Sequence, residues 1–258
     1  MCISSQIGCK QACTFCMTGR MGKLRSLSVD EILIQLYWAI KACRIRNLYP
    51  IDNIVFMGMG EPADNVNAVV RAAHILVNSR QFQIAPRRVT ISTVAPHPKS
   101  FELLGEAPVV LAWSVHASKD DLRRQLVPTT QYSMEDLRQG LITALKRRTK
   151  RLRNTMLEIT LLDGINDSED DACHLVNFCQ PLLKQVEGIK LVVNLIPWND
   201  IGATFGPASK YRKPSHARVV AFQNVLTENN ILCYVRTTRG DDESAACGML
   251  ATRKVGRQ

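Results

Sequence analysis

Cys9, Cys13 and Cys16 share one short segment, GCKQACTFCMTG, spaced as Cys-x3-Cys-x2-Cys. Thiolates are soft ligands suited to iron–sulfur chemistry, and three on one loop can hold three irons of a [4Fe–4S] cube. A fourth protein ligand would close such a cluster; three leave one iron open to chelation by a small molecule. Structural zinc, the competing metal, is usually held by two separated pairs of ligands, and no second pair lies near this segment. Phe15, beside the last cysteine, is suited to shield a cluster from water. The next segment with chemical content is Gly58-Met59-Gly60-Glu61-Pro62. Its glycines allow close backbone approach to a ligand, and Glu61 can accept from a cation. On its own this segment reads more readily as an ordinary turn between a strand and a helix.

The remaining cysteines divide into two groups. The chain has nine, an odd number, and four of them fall before residue 17. A disulfide scaffold would be smaller and richer in loops, so the pattern favours a reducing compartment with metal or redox chemistry. Cys43, Cys173, Cys179 and Cys233 read as small buried core residues. Cys247 differs, because it follows Gly240, Asp241 and Asp242 and precedes Gly248, a polar turn and not a core strand. Cys2 stands near the other end of the chain, in CISSQIGC.

The elements that must position these residues alternate between two periodicities. Short apolar runs predict strands at Ile3–Ile7, Asn53–Met57, Val89–Thr93, Val109–Val115, Met156–Leu162, Lys190–Ile196 and Ile231–Val235. Helical patterns lie between them: one opening at a Ser28–Glu31 capping box, then about Asn67–Ser79, Ser133–Lys150, Ser168–Gln185 and Ser215–Asn229. Strands separated by helices imply βαβ units and a parallel sheet. The expectation is a single α/β domain over 1–258, built as a partial (β/α)6-type barrel. Such barrels put their chemistry at the C-terminal ends of the strands. The polar segments Gly8–Cys16, Gly58–Pro62, Ser92–Thr93, Ser114–His116 and Pro197–Asn199 all fall there.

Bulk properties narrow the partners. Of 258 residues, 46% are hydrophobic and 22% charged, a globular composition. No apolar run is long enough to span a membrane, and the start shows no secretory pattern. The formal charge of +10 attracts polyanions; from charge alone, a nucleic-acid partner and a merely solvated basic surface stay equally open. The basic residues cluster at Arg20–Arg25, Arg87–Arg88, Arg123–Arg124, Lys146–Arg153 and Lys210–Lys213, and recur at Arg236 and Arg239. That distribution over several loops suits a broad nucleic-acid surface.

Cys-x3-Cys-x2-Cys after a first strand resembles the radical-SAM signature, and Gly58–Pro62, one βα unit later, resembles the segment that holds the amino group of S-adenosylmethionine (SAM). With Cys2, Cys247, Ser114-Val115-His116-Ala117 and Asn194-Leu195-Ile196-Pro197-Trp198-Asn199, the chain resembles the RlmN/Cfr family from Cys2 to about Leu250. These are radical-SAM methyltransferases of adenosine in 23S rRNA and, in one branch, in tRNA. The resemblance implies that Cys9, Cys13 and Cys16 ligate a [4Fe–4S] cluster. It implies SAM contacts at Gly60, Glu61, Ser92, Ser114, Val115, His116 and Asn199. Cys247 is implied to become S-methylcysteine, and Cys2 to be the thiol that later releases the product through a transient disulfide with Cys247.

The implied chemistry explains the second pair of thiols. Adenine C2 is an electron-poor carbon and does not attack the methyl group of SAM. One SAM would methylate the Cys247 thiolate by displacement. A second, cleaved reductively, would yield the radical that activates this methyl group for addition to C2. The substrate base must be exposed, which favours single-stranded loops or stems that can be opened. The implied partners are rRNA or tRNA and an electron donor of flavodoxin or ferredoxin type, with no membrane, in the cytoplasm or, were a targeting segment lost upstream, in an organelle. Two departures from the family are expected to matter. The family's N-terminal accessory domain is absent from this sequence, so no general base is assigned to a residue present. Ser92-Thr93-Val94-Ala95 lacks the Ser-Gly common after this strand. A C8-directed enzyme of the same family and a cluster-containing paralogue that only binds RNA remain alternatives at this point.

Overall fold

The computed structural model describes residues 1–237 and 246–251. Arg239 and the Gly240-Asp241-Asp242 turn lie outside the described residues. The chain opens with a hairpin in which β1 (Gln6–Cys9) pairs antiparallel with β2 (Gly22–Ser26), a one-turn helix α1 (Met17–Arg20) lying between them. Helix α2 (Val29–Ile45) leads to six strands: β3 (Ile54–Phe56), β4 (Val89–Thr93), β5 (Val110–Ser114), β6 (Asn154–Leu161), β7 (Lys190–Pro197) and β8 (Leu232–Val235). They stand side by side in sequence order, each neighbouring pair parallel. The connections carry α3 (Val66–Val77), α4 (Lys99–Leu104), α5 (Asp120–Leu126), α6 (Met134–Arg147), α7 (Glu169–Gln185) and α8 (His216–Glu228). Among the described residues β3 and β8 do not pair, so the sheet is the expected partial (β/α)6 barrel with one open side.

Local chemistry explains why the helices start where they do. Ser28 accepts from the Glu31 amide while the Glu31 side chain accepts from the Ser28 amide, the predicted capping box. Ser168 forms a second capping box with Asp171 at α7, and the Ser133 and Ser215 side chains cap α6 and α8 by accepting from the amides of Asp136 and Arg218. Behind these caps, apolar residues recur at helical spacing and face the sheet, as with Val69, Ala72, Ala73 and Leu76 of α3. Helices cover the outer face of the strands, and every residue of β4 is buried, its polar Thr90, Ser92 and Thr93 included.

The structure corrects the first predicted strand. Ile3–Ile7 is not a member of the parallel sheet. A parallel bridge from Cys2 to Val55 extends the sheet there, with the Val55 amide on the Met1 carbonyl (2.9 Å), the Ile3 amide on the Val55 carbonyl (2.9 Å) and the Gly58 amide on the Ile3 carbonyl (3.0 Å). The Ser5 and Gln6 amides then both donate to the Met59 carbonyl, and the chain turns into the hairpin. Strand β2 falls in the segment read as a basic cluster, where four of its five residues are exposed and no apolar alternation exists to mark a strand. The short helices α1, α4 and α5 also had no clear periodic signal.

Two of the basic clusters are partly spent inside the fold. Arg123 is fully buried, and Arg148 is buried with its guanidinium on the carbonyls of Ala107 and Val109. Neither belongs to a nucleic-acid surface. Among the described residues no helix is long and apolar enough to cross a membrane.

Candidate active site

A cavity of about 130 Å³ lies at the C-terminal ends of the strands. Cys9 ends β1, Cys13 and Cys16 follow in the loop into α1, and all three line this cavity. The loop is held from several sides. The Thr14 amide donates to the Leu126 carbonyl (2.9 Å) and the Met17 amide to the Gly248 carbonyl (2.7 Å). Trp198 Nε1 donates to the Phe15 carbonyl (3.0 Å). Beneath it, Cys13, Phe15, Leu126, Trp198 and Tyr211 form an apolar cluster separate from the main core. Phe15 is buried, with its ring 4.5 Å from the His116 ring.

The donor set fits a cubane cluster. Three soft thiol ligands on one loop at the cavity wall suit a cluster in which each binds a different iron. Burial raises all three thiols, Cys9 to about 12 and Cys13 well above its ordinary value. Thiolates so desolvated need a bound cation to persist.

Glu61 also lines the cavity and is buried. Its carboxylate accepts from the Ala63 amide (2.9 Å), the Val94 amide (2.9 Å) and the Thr93 hydroxyl. Burial raises it to about 7, against the lowering effect of those three donors. Gly60 has φ of +100°, and a Cβ there would stand 2.5 Å from the Gln6 Cβ. Gly58 is equally crowded by Ile3 and Ser4. The glycines thus permit close approach of the Ser4–Gln6 segment, in addition to any ligand. After β4, Ala95 adopts φ of +56° with its amide on the Thr93 hydroxyl oxygen (2.8 Å). Glycine adopts this left-handed conformation freely, which explains physically what the missing Ser-Gly would have supplied.

Of the other predicted SAM contacts, Ser92, Ser114, His116 and Asn199 line the cavity. Ser92 Oγ and Ser114 Oγ are 3.0 Å apart. His116 has φ of +57° and accepts from the Thr160 amide at Nδ1 (3.2 Å). Burial, and then the Arg123 guanidinium, hold it well below the usual histidine range, so the ring is neutral. Val115 is the exception: its side chain is buried in the main core and does not line the cavity. Strand alternation turns it away from the face that Ser114 presents. Arg123 secures this region by donating to the carbonyls of Val94 (2.5 Å), Ser114 (2.7 Å) and Val115 (2.7 Å).

Cys247 shares the cavity with the three cysteines of the loop, and Asn199 Nδ2 donates to its carbonyl (3.1 Å). Cys247 also lines an adjoining cavity of about 480 Å³ together with Cys2, Met57 and Arg236. The fold therefore brings residues from both ends of the chain to one wall. Both residues are exposed, yet the protein packed around their thiols raises them, Cys247 to about 12.

One residue at the centre of the site escaped the sequence reading. Glu158, buried in β6, lines the first cavity. It accepts from Ser92 Oγ (3.2 Å) and Arg236 Nη1 (3.4 Å). Burial raises its carboxyl; Arg236 is the largest opposing influence. The signal was available: a carboxylate inside the apolar run Met156–Leu162 is costly unless paired.

Residues 3–176 match the Radical SAM superfamily. Over its whole length the chain is 40% identical to the dual-specificity RNA methyltransferase RlmN of Ruthia magnifica subsp. Calyptogena magnifica, covering 68% of that protein. It is 41% identical to the RlmN of Marinobacter nauticus, covering 67% of it. The crystal structure of a radical SAM methyltransferase from Sphaerobacter thermophilus superposes on 96% of the chain with a TM-score of 0.81, at 36% identity and over 69% of that protein. With a three-cysteine loop, a buried glutamate and two further thiols meeting at the barrel mouth, these likenesses identify the chain as a member of the RlmN family within the radical SAM superfamily.

Proposed function

We propose that this chain is an RNA methyltransferase that methylates adenosine at C2 in rRNA or tRNA, with Cys247 as the carrier of the methyl group and Cys2 as the thiol that releases the product. The observation that carries this reading is the shared wall: Cys247 borders both the cavity of the cluster cysteines and the cavity that contains Cys2. A binding protein has no use for that pair of thiols.

The superfamily's cofactors are a [4Fe–4S] cluster and SAM; when bound they supply one-electron reductive cleavage, and in the proposed reaction one SAM would be used as methyl donor and a second as radical source. Cys9, Cys13 and Cys16 would hold the cluster. Glu61, with the backbone at Gly60, would take the ammonium group of SAM, and Ser92, Ser114, His116 and Asn199 would border the rest of it. An external donor of flavodoxin or ferredoxin type would provide the electron.

Cys247 would take up the methyl group as S-methylcysteine. After that methyl gives up one hydrogen atom, its carbon would replace the hydrogen at C2 of the adenine. The C2 proton would pass to a general base and one electron would return to the one-electron couple, which leaves a thioether between protein and RNA. Release then needs only the chain's own thiols and a proton. The Cys2 thiolate attacks the Cys247 sulfur and forms an S–S bond. The S–CH2 bond breaks, its electron pair stays with carbon, and protonation gives the methyl group. Two cysteine sulfurs are oxidised to a disulfide and one carbon is reduced, so the step balances without a further oxidant.

The test is incubation of reconstituted protein with SAM, a reductant and rRNA or tRNA, followed by nucleoside mass analysis. The expected product is 2-methyladenosine; 8-methyladenosine or unmodified RNA would overturn the assignment. Cys247→Ala should acquire no methyl group on intact-protein mass analysis. Cys2→Ala should accumulate RNA covalently attached to protein.

A further inference from the structure

Arg236 follows β8, and its amide donates to the Leu195 carbonyl (2.8 Å), which continues the ladder with β7. Its side chain then crosses the open side of the barrel. Nη1 stands 3.4 Å from Glu158 Oε1 and 3.8 Å from Met57 Sδ, just beyond β3. Glu158 is almost completely buried, while the Arg236 side chain is 32% exposed, so the carboxylate anchors a cation whose other face is open. That face lines the cavity with Cys2 and Cys247. Arg236 thus links the end of β8 both to Glu158 on β6 and to Met57 beyond β3, beside the cavity that holds the thiols from opposite ends of the chain.

We propose that Arg236, held in place by Glu158, is a positioning residue for product release: its guanidinium stabilises the Cys2 thiolate that attacks the Cys247 sulfur. This rests on the reading of Cys2 as the releasing thiol. The charged groups that act on Cys2 are Arg236 and the Met1 amino group, which favour the thiolate, and Glu158, which opposes it, as burial does. Cys247 is subject to Glu158, Arg236, Cys16 and Cys2. Arg236 is thus the side-chain cation that acts on both sulfurs among these groups. Guanidinium suits the task because it stays charged and can bind a carboxylate while presenting other N–H groups to a sulfur. Its loss removes the cation that favours the Cys2 thiolate, and the thiolate fraction at neutral pH falls.

The test reads thiols directly and needs no RNA. The full chain, reduced and anaerobic, is alkylated with iodoacetamide between pH 6.5 and 9.5, and the Cys2 peptide is quantified by mass spectrometry. In Arg236→Ala the rate at pH 7.5 should fall about tenfold and the midpoint should move up by about one pH unit, the effect of losing one close charge. Arg236→Lys should restore most of the rate. Glu158→Gln should move the midpoint downward, which keeps the test informative if Arg236→Ala folds poorly. A Cys2 profile unchanged in folded Arg236→Ala and in Glu158→Gln would overturn the proposal. In turnover, Arg236→Ala should accumulate the covalent protein–RNA species at pH 7 and lose it at higher pH. If Cys2→Ala accumulates none while the alkylation shifts appear, the assignment of Cys2 to release fails and the electrostatic role of Arg236 stands.

Discussion

Glu61 carries a cost in stability that can be measured. Its carboxyl is raised from 4.5 to about 7, chiefly by burial. The folded protein therefore keeps this proton over a range in which the unfolded chain has lost it. Between pH 4.5 and 7 each pH unit favours unfolding by about 1.4 kcal/mol, and above about 7 both states are ionised and the effect is constant. Across the window the sum is about 3 kcal/mol, fully present as stability below pH 4.5 and gone once pH passes 7. Glu61→Gln removes the titration but keeps the shape. The other ionisable groups are common to both proteins, so their contributions cancel in the difference. Urea unfolding of cluster-free, reduced protein at pH 5, 6, 7 and 8 gives that difference directly. Wild type should lose about 3 kcal/mol relative to Glu61→Gln between pH 5 and 8, nearly all of it below pH 7.5. A difference constant to within about 0.5 kcal/mol would refute the claim that Glu61 is protonated in the empty site, and with it the idea that a cationic ligand is needed to ionise it.

Arg123→Ala should destabilise by about 3 kcal/mol, because three buried carbonyls lose their donor, and should lower Tm by about 10 °C in thermal circular dichroism. Gly60→Ala combines left-handed backbone with a Cβ against Gln6; a loss of more than about 2 kcal/mol is expected, with SAM binding weakened at least about tenfold in titration calorimetry. Ala95→Gly relieves a left-handed alanine and should stabilise by about 1 kcal/mol, read from the urea midpoint. Replacing Cys9, Cys13 or Cys16 by Ala should abolish the broad visible absorption of reconstituted protein and the formation of 5′-deoxyadenosine.

By itself the sequence determined the parallel barrel and the loop that carries the three cysteines. The reason is local: capping serines, helical apolar spacing and short apolar strands act over a few residues, so Ser28, Ser133, Ser168 and Ser215 mark helix starts without tertiary help. Motif spacing likewise joined Cys9 to Cys16 and Gly58 to Pro62. Tertiary structure decided what depends on partners distant in the chain. Strand β2 has no apolar face and exists because β1 pairs with it. Val115 looked like part of a site motif, yet pleat geometry buries it in the core. Arg123 counted as surface charge until the carbonyls of two strand ends enclosed it. Glu158 and Arg236, far apart in sequence, became a pair only when β6 and β8 were folded into one sheet. Cys2 and Cys247 could be named from the sequence, but only closure of the barrel puts them on the wall of one cavity.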